Sequence, residues 1–137
     1  MTLYIVAGIA IFIIYILLLL PGRMPKEVDD RLWTSYYAHR GLHEKDKSIP
    51  ENSMTAFRKA VDAGYGIEMD LNLTADGRII VFHDDNLSRL CGADRLITDC
   101  NYEELLTYNL ENTGEKIPLF EDVLSMVNGQ VPLIVEL

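Results

Sequence analysis

The 137-residue chain carries 12 Lys and Arg against 21 Asp and Glu, a formal net charge of -9. That balance excludes a non-specific nucleic-acid binder, which needs a basic surface to displace counterions from phosphates, although it leaves room for one local phosphate pocket. Cys91 and Cys100 are too few for a disulfide framework and lack the Cys-x-x-Cys spacing of redox and zinc motifs, so both read as ordinary thiols.

Residues 2–20, TLYIVAGIAIFIIYILLLL, hold no charged side chain. As a helix they would reach about 28 Å, close to the hydrocarbon thickness of a bilayer, so a transmembrane helix is expected. A cleaved signal peptide fits less well, because no Lys or Arg precedes the run and no small-x-small site follows it in PGRMPKE. A buried soluble helix would need a partner layer that so short a chain hardly supplies. Arg23, Lys26 and Arg31 follow the span, and the positive-inside rule then predicts a single-pass protein of the cell membrane with its C-terminal part in the cytoplasm. Segment 21–37 reads as a juxtamembrane linker. Its two prolines oppose helix continuation, and Trp33, Tyr36 and Tyr37 belong either at the interface or against the domain.

Residues 38–137 form the soluble part, where strand and helix patterns alternate. SYYAH (35–39) predicts a first strand. Asn52 or Ser53 can cap a helix in which Met54, Phe57, Ala60 and Val61 recur at helical spacing, and Gly64 ends it. GYGIEMDLNL predicts strand 2 and RIIVFH strand 3, the latter an apolar run suited to burial on both faces. The Asp76-Gly77 pair between them favours a tight antiparallel turn, yet local pattern alone leaves their relative direction open. Asn101 with Glu104 makes a capping box before Leu105 and Leu106. A further helix over 118–128 places Val123, Leu124 and Val127 on one side with Gly129 at its end, and VPLIVEL is the last strand. Four strands and three helices amount to half of an eight-stranded α/β barrel.

Glu68 and Asp70 lie two apart in strand 2 and therefore leave the same face, while Met69 and Leu71 turn into packing. Two such carboxylates either flank a hard divalent cation or sit on a solvated face. Glu136 interrupts the apolar PLIVEL, so it calls for a ligand role inside a barrel or for solvent at a strand end. His39 and His83 end strands 1 and 3, and parallel strands would bring them to the carboxyl edge where α/β folds place their sites. There two imidazoles can serve as general acid and base, and Arg40 can hold two phosphate oxygens. A core-edge histidine and a surface ion pair are the plainer readings of His39 and Arg40. His43, four residues after His39, lacks the His-Glu-x-x-His pattern of a zinc helix.

Taken in order, AHRG (38–41), PENS (50–53), EMD (68–70), HDD (83–85), IPLFEDVLSMV and PLIVEL resemble the glycerophosphodiester phosphodiesterases, and especially the membrane-anchored bacterial members. The likeness covers 38–137 and implies the N-terminal half of a TIM (β/α)8 barrel, truncated after its fourth strand. It also implies a phosphoric diester hydrolase that cleaves glycerophosphodiesters to sn-glycerol 3-phosphate and an alcohol with Ca2+ or Mg2+. Position by position, His39 and His83 resemble the catalytic histidines, Arg40 the phosphate-binding arginine, and Glu68, Asp70 and Glu136 the metal ligands. The family mechanism has the glycerol 2-hydroxyl attack phosphorus and water open the resulting cyclic phosphate, with the histidines moving the protons. The resemblance also makes strands 2 and 3 parallel barrel neighbours.

The sequence departs from the family in three places. The usual lysine two residues after Glu136 is absent, ENS stands for ENT, and Cys91 replaces a common threonine. With open barrel edges, the polypeptide alone is expected to hydrolyse its substrate poorly and to be prone to self-association. Two other readings stand beside the enzyme: a non-catalytic membrane-tethered half-barrel remnant, and a phosphodiesterase acting on lysophospholipids.

Overall fold

The computed structural model describes residues 2–20 and 29–137. Arg23, Lys26 and the linker positions 21–28 lie outside the described residues. An uncharged, β-branched and leucine-rich run forms α1 (Thr2–Leu19), and its described large side chains, from Tyr4 to Leu19, are exposed. Among the described residues, no helix is long and apolar enough to cross a membrane. The 18 residues of α1 correspond to about 27 Å, slightly less than a typical hydrocarbon core.

A short helix, α2 (Arg31–Thr34), starts where Asp29 accepts from the Arg31 backbone and side chain. Trp33 and Tyr36 are exposed, whereas the Tyr37 hydroxyl donates back to the Leu32 carbonyl. β1 (Tyr37–His39) follows, shorter than the expected SYYAH. Of the two candidate caps, Ser53 takes the N-cap of α3 (Met54–Asp62), where its hydroxyl accepts from the Ala56 backbone at 3.2 Å. That bond satisfies one of the donors that every helix start leaves open. The buried face of α3 carries Ala56, Phe57 and Ala60, and Gly64 in the left-handed region (φ 71) turns the chain into β2 (Gly66–Leu73).

β2 and β3 (Ile79–Val81) are antiparallel, with Leu71 opposite Val81 and Leu73 opposite Ile79. This corrects the expectation of parallel barrel neighbours. Residues 74–78 are far too few for a parallel crossover, which takes a dozen or more, and Gly77 at φ 75 closes the turn. The Thr74 hydroxyl locks that turn from inside, donating to Asp76 and accepting from the Arg78 backbone. Ile80, Val81 and Phe82 are fully buried but Ile79 is exposed, so burial on both faces holds only for the inner part of strand 3.

The long excursion after β3 contains α4 (Ser88–Cys91), a 3₁₀ turn over Ile97–Asp99 and α5 (Tyr102–Leu105). Glu104 reaches back to the Asn101 backbone at 2.9 Å, the reciprocal half of the predicted capping box. Phe82, Leu87, Leu90, Ile97, Leu105 and Ile117 gather into a core beneath this excursion. Cys91 and Cys100 are free thiols, as read from their spacing.

α6 (Phe120–Val127) buries Val123 and Val127 but leaves Leu124 exposed, so its apolar stripe is narrower than the sequence suggested. Asn128 (φ 44) and Gly129 (φ 71) release the chain into β4 (Leu133–Glu136), which pairs parallel with β2 on the side opposite β1. The parallel sheet is thus β1-β2-β4, three strands rather than four in succession, with β3 folded onto the far end of β2. Ile67 and Met69 of β2 pack with Phe57, Ala60, Val123 and Val127 in the core between sheet and helices. Alternation then forces Glu68 and Asp70 onto the other face, away from α3 and α6.

Candidate active site

Strand register decides which side chains meet. His39 pairs with Glu68, and Asp70 pairs with Glu136, so the ends of three parallel strands lie side by side. Ligand oxygens from Glu68, Asp70 and Glu136 all lie within 4.8 Å of one another. Like charges this close repel unless a cation or positive side chain compensates them. The set fits a hard divalent ion: two oxygens bonded at 2.3–2.6 Å to one calcium are separated by at most about 5 Å. Asp70 is 5% exposed, and an isolated carboxylate so deeply buried would be costly.

The turn after β1 supplies Asp70 with partners. The Arg40 backbone donates both to the Glu68 carbonyl at 2.9 Å and to its Oε2 at 3.0 Å, tying this turn to β2. Arg40 takes φ 58 and Gly41 φ 80, so two successive residues are left-handed. A Cβ on Gly41 would lie 2.9 Å from Ala56 Cβ and Phe57 Cδ1, which explains the glycine. From this turn the Arg40 Nε faces Asp70 Oδ2 at 3.1 Å, an ion pair without hydrogen-bond alignment, while Nη1 donates to Glu51 Oε1 at 2.8 Å. Asn52, also left-handed at φ 53 and buried, donates from Nδ2 to Asp70 Oδ2 at 2.9 Å. Among the described residues its buried Oδ1 has no hydrogen-bond partner, a hard oxygen left open beside the acidic cluster.

His39 is exposed, with Nε2 3.9 Å from Glu68 Oε2. His83 arrives by a different route from the one expected. The antiparallel β3 carries the chain back toward the site, where the Phe82 backbone donates to the Asp70 carbonyl at 2.9 Å and leaves His83 beside a cleft of about 290 Å³. Asp70, His83, Asp85 and Glu136 line that cleft. All six predicted site residues therefore come to one region of the sheet edge.

Sequence reasoning assigned no role to Glu51, Asp84 or Arg89, and treated Asn52 only as a cap. His83 Nδ1 meets Asp84 Oδ1 at 2.6 Å, and Arg89 grips Asp84 through Nε at 2.7 Å and Nη2 at 3.0 Å. The Arg89 hydrogen bond, ahead of that from His83, holds the Asp84 carboxyl below the usual carboxylate range. Burial works against ionisation of Glu51, but hydrogen bonds from Arg89 and Arg40 outweigh it and lower that carboxyl too. The two acids in turn raise the Arg89 guanidinium further above its ordinary value, Glu51 first and Asp84 second. Glu51 and Asp84 do lie in the PENS and HDD motifs that carry the family likeness, but nothing in those motifs pairs them with Arg89.

Known proteins resemble this chain in sequence and in fold. A Bacillus altitudinis protein named "Glycerophosphodiester phosphodiesterase" is 39% identical over 111 residues, covering 76% of this chain and 44% of that protein. Among solved structures, a glycerophosphoryl diester phosphodiesterase from Parabacteroides distasonis superposes with a TM-score of 0.67 at 32% identity, covering 80% of this chain and 40% of the other. An Oleispira antarctica phosphodiesterase, solved in complex with the product sn-glycerol-3-phosphate, gives 0.65 at 28% identity, covering 74% and 43%. These likenesses support an α/β fold with a partial barrel. The chain spans less than half the length of the curated relatives it matches. The profile described as "Glycerophosphoryl diester phosphodiesterase family" matches residues 39–137, and the chain belongs to that family.

Proposed function

We propose that the protein takes part in metal-dependent hydrolysis of glycerophosphodiesters to sn-glycerol 3-phosphate and an alcohol. The observation that carries this reading is the convergence of Glu68, Asp70 and Glu136 within 4.8 Å, beside Arg40 and a cleft lined by His83. Bound by those three carboxylates, Ca2+ or Mg2+ would supply Lewis-acid polarisation of the phosphoryl oxygens. Arg40 holds the phosphate. Its Nη1 and Nε are committed to Glu51 and Asp70, which fix the guanidinium plane so that its remaining edge serves the ligand. His83 works as one proton-transfer group, with Nδ1 held by Asp84 and Nε2 left for the substrate, and the exposed His39 ring is the other.

The test is release of sn-glycerol 3-phosphate from glycerophosphocholine by the full chain in mild detergent, with calcium or magnesium added. Release that falls at least 100-fold in both His39→Ala and His83→Ala and on chelation supports the reading; release indifferent to all three overturns it.

Residues 2–20 serve as a membrane anchor, with the folded part on the cytoplasmic side. The exposed apolar side chains along α1 and the lack of any charged residue over 2–20 support this. Flotation of the full chain with phosphatidylcholine vesicles, lost when residues 2–20 are deleted, is the expected result. Protease protection of the folded part inside inverted membrane vesicles would contradict the orientation.

A further inference from the structure

The carboxylates and arginines beside the cleft form a chain of alternating charge: Asp70, Arg40, Glu51, Arg89, Asp84 and then the His83 ring. Arg89 is its hub. One guanidinium binds two carboxylates, each through two contacts: Nε and Nη2 to Asp84 at 2.7 and 3.0 Å, and Nη2 and Nη1 to Glu51 at 2.7 and 3.1 Å. Isolated surface ion pairs contribute little, but paired contacts within a network are the exception, because a planar fork loses little freedom per bond. The backbone carrying Arg89 is fixed as well. Leu90 is buried in the core beneath the excursion, and Gly92 at φ 69 closes α4.

We propose that Arg89 is a positioning residue for His83: by clamping Asp84 against Glu51 it holds the ring with Nδ1 on Asp84 and Nε2 toward the cleft, in fixed register with Arg40. Asp84 alone, one residue from His83, has no such rigidity, since its carboxylate can rotate freely once unclamped. Glu51 sets the register. Its Oε1 accepts from both arginines, so moving Arg89 disturbs the group that orients Arg40. Arg89 belongs neither to the acidic cluster nor to the lining of that cleft, which makes its effect on chemistry indirect.

The inference rests on the proposed function for its meaning, yet it can be tested without substrate or ion. The full chain, in detergent micelles and labelled with ¹⁵N-histidine, is observed by two-bond ¹H–¹⁵N correlation at about pH 8, where an ordinary imidazole is neutral. With three histidines in the chain, assignment requires only single His→Gln replacements. His83 is expected mainly as the Nδ1–H tautomer. In Arg89→Met the Nε2–H form should become the major one, and Arg89→Lys, whose ammonium cannot grip two carboxylates bidentately, should fall between. An Arg89→Met chain with an unchanged amide spectrum and an unchanged His83 tautomer overturns the proposal. Should Arg89→Met not fold, Arg89→Lys carries the same decision, and an unshifted tautomer there overturns it equally. Failure of glycerophosphocholine hydrolysis, by contrast, bears on the proposed function and leaves the tautomer result intact.

Discussion

Replacing Gly41 by alanine puts the packing logic of the turn after β1 to a quantitative test. Two costs are separable. Gly41 has φ 80, a left-handed conformation that costs an L-residue roughly 1–2 kcal/mol. The added Cβ would also stand 2.9 Å from Ala56 Cβ and Phe57 Cδ1 and 3.0 Å from the Ala56 carbonyl carbon. Neither neighbour can swing aside, because both lie fully buried on α3, so overpacking adds about 1–3 kcal/mol. The sum, roughly 2–5 kcal/mol, is a large share of the ~5–15 kcal/mol that holds a domain together. Gly92→Ala is the control: its φ is 69, but nothing among the described residues lies within 4 Å of the added atom, so only the conformational cost of about 1–2 kcal/mol applies. Urea unfolding of the full chain in mild detergent, followed by far-ultraviolet circular dichroism, measures both. Equal losses for the two variants, within about 0.5 kcal/mol, would refute the claim that α3 crowds the turn.

Calcium titration followed by thermal unfolding should raise Tm in the unsubstituted chain, and Glu136→Gln should abolish most of that rise, because one of the three converging oxygens loses its charge. Asn52→Ala should destabilise by about 1–3 kcal/mol, since it removes the donor to Asp70 and places alanine at φ 53; an unfolding midpoint equal to that of the original chain would contradict this. Acid should weaken the fold in a defined window. Glu51 and Asp84 have lowered carboxyl values in the folded state, so their contribution is fully present above the unfolded values of about 4.3 and 3.9, and is lost as pH falls through the folded ones. Urea midpoints between pH 7 and pH 2 should fall less steeply in Arg89→Met than in the original chain; parallel curves would show that Arg89 is not the main cause.

The ability to read this fold from sequence followed the range of the interactions involved. Ser53, Gly64 and the Asn101–Glu104 cap were legible because they act within one helical turn of themselves. The Asp76-Gly77 turn was equally local, and its antiparallel signal was correct; the barrel expectation misled because it assumed that consecutive strands are consecutive staves. Period-two alternation placed Glu68 and Asp70 on one face, with Met69 buried on the other. Glu51, Asp84 and Arg89 were opaque for the opposite reason. They sit in irregular segments with no period, and Glu51 meets Arg89 across 38 positions of sequence, which no local pattern encodes.

The reversal between β2 and β3 makes the hairpin a ruler for the site. His83 reaches the cleft only because the chain travels out along Leu71–Leu73 and returns along Ile79–Val81, so its position depends on the residue count of both arms. Adding one residue to a single arm would exchange inward and outward side chains beyond it, turning Phe82 toward solvent and His83 into the core. Adding one rung to both arms preserves the pairing and lengthens only the outer tip. The turn can therefore grow outward in matched pairs while the end beside the cleft keeps its spacing, which separates the part of the hairpin open to variation from the part that the pairing register holds fixed.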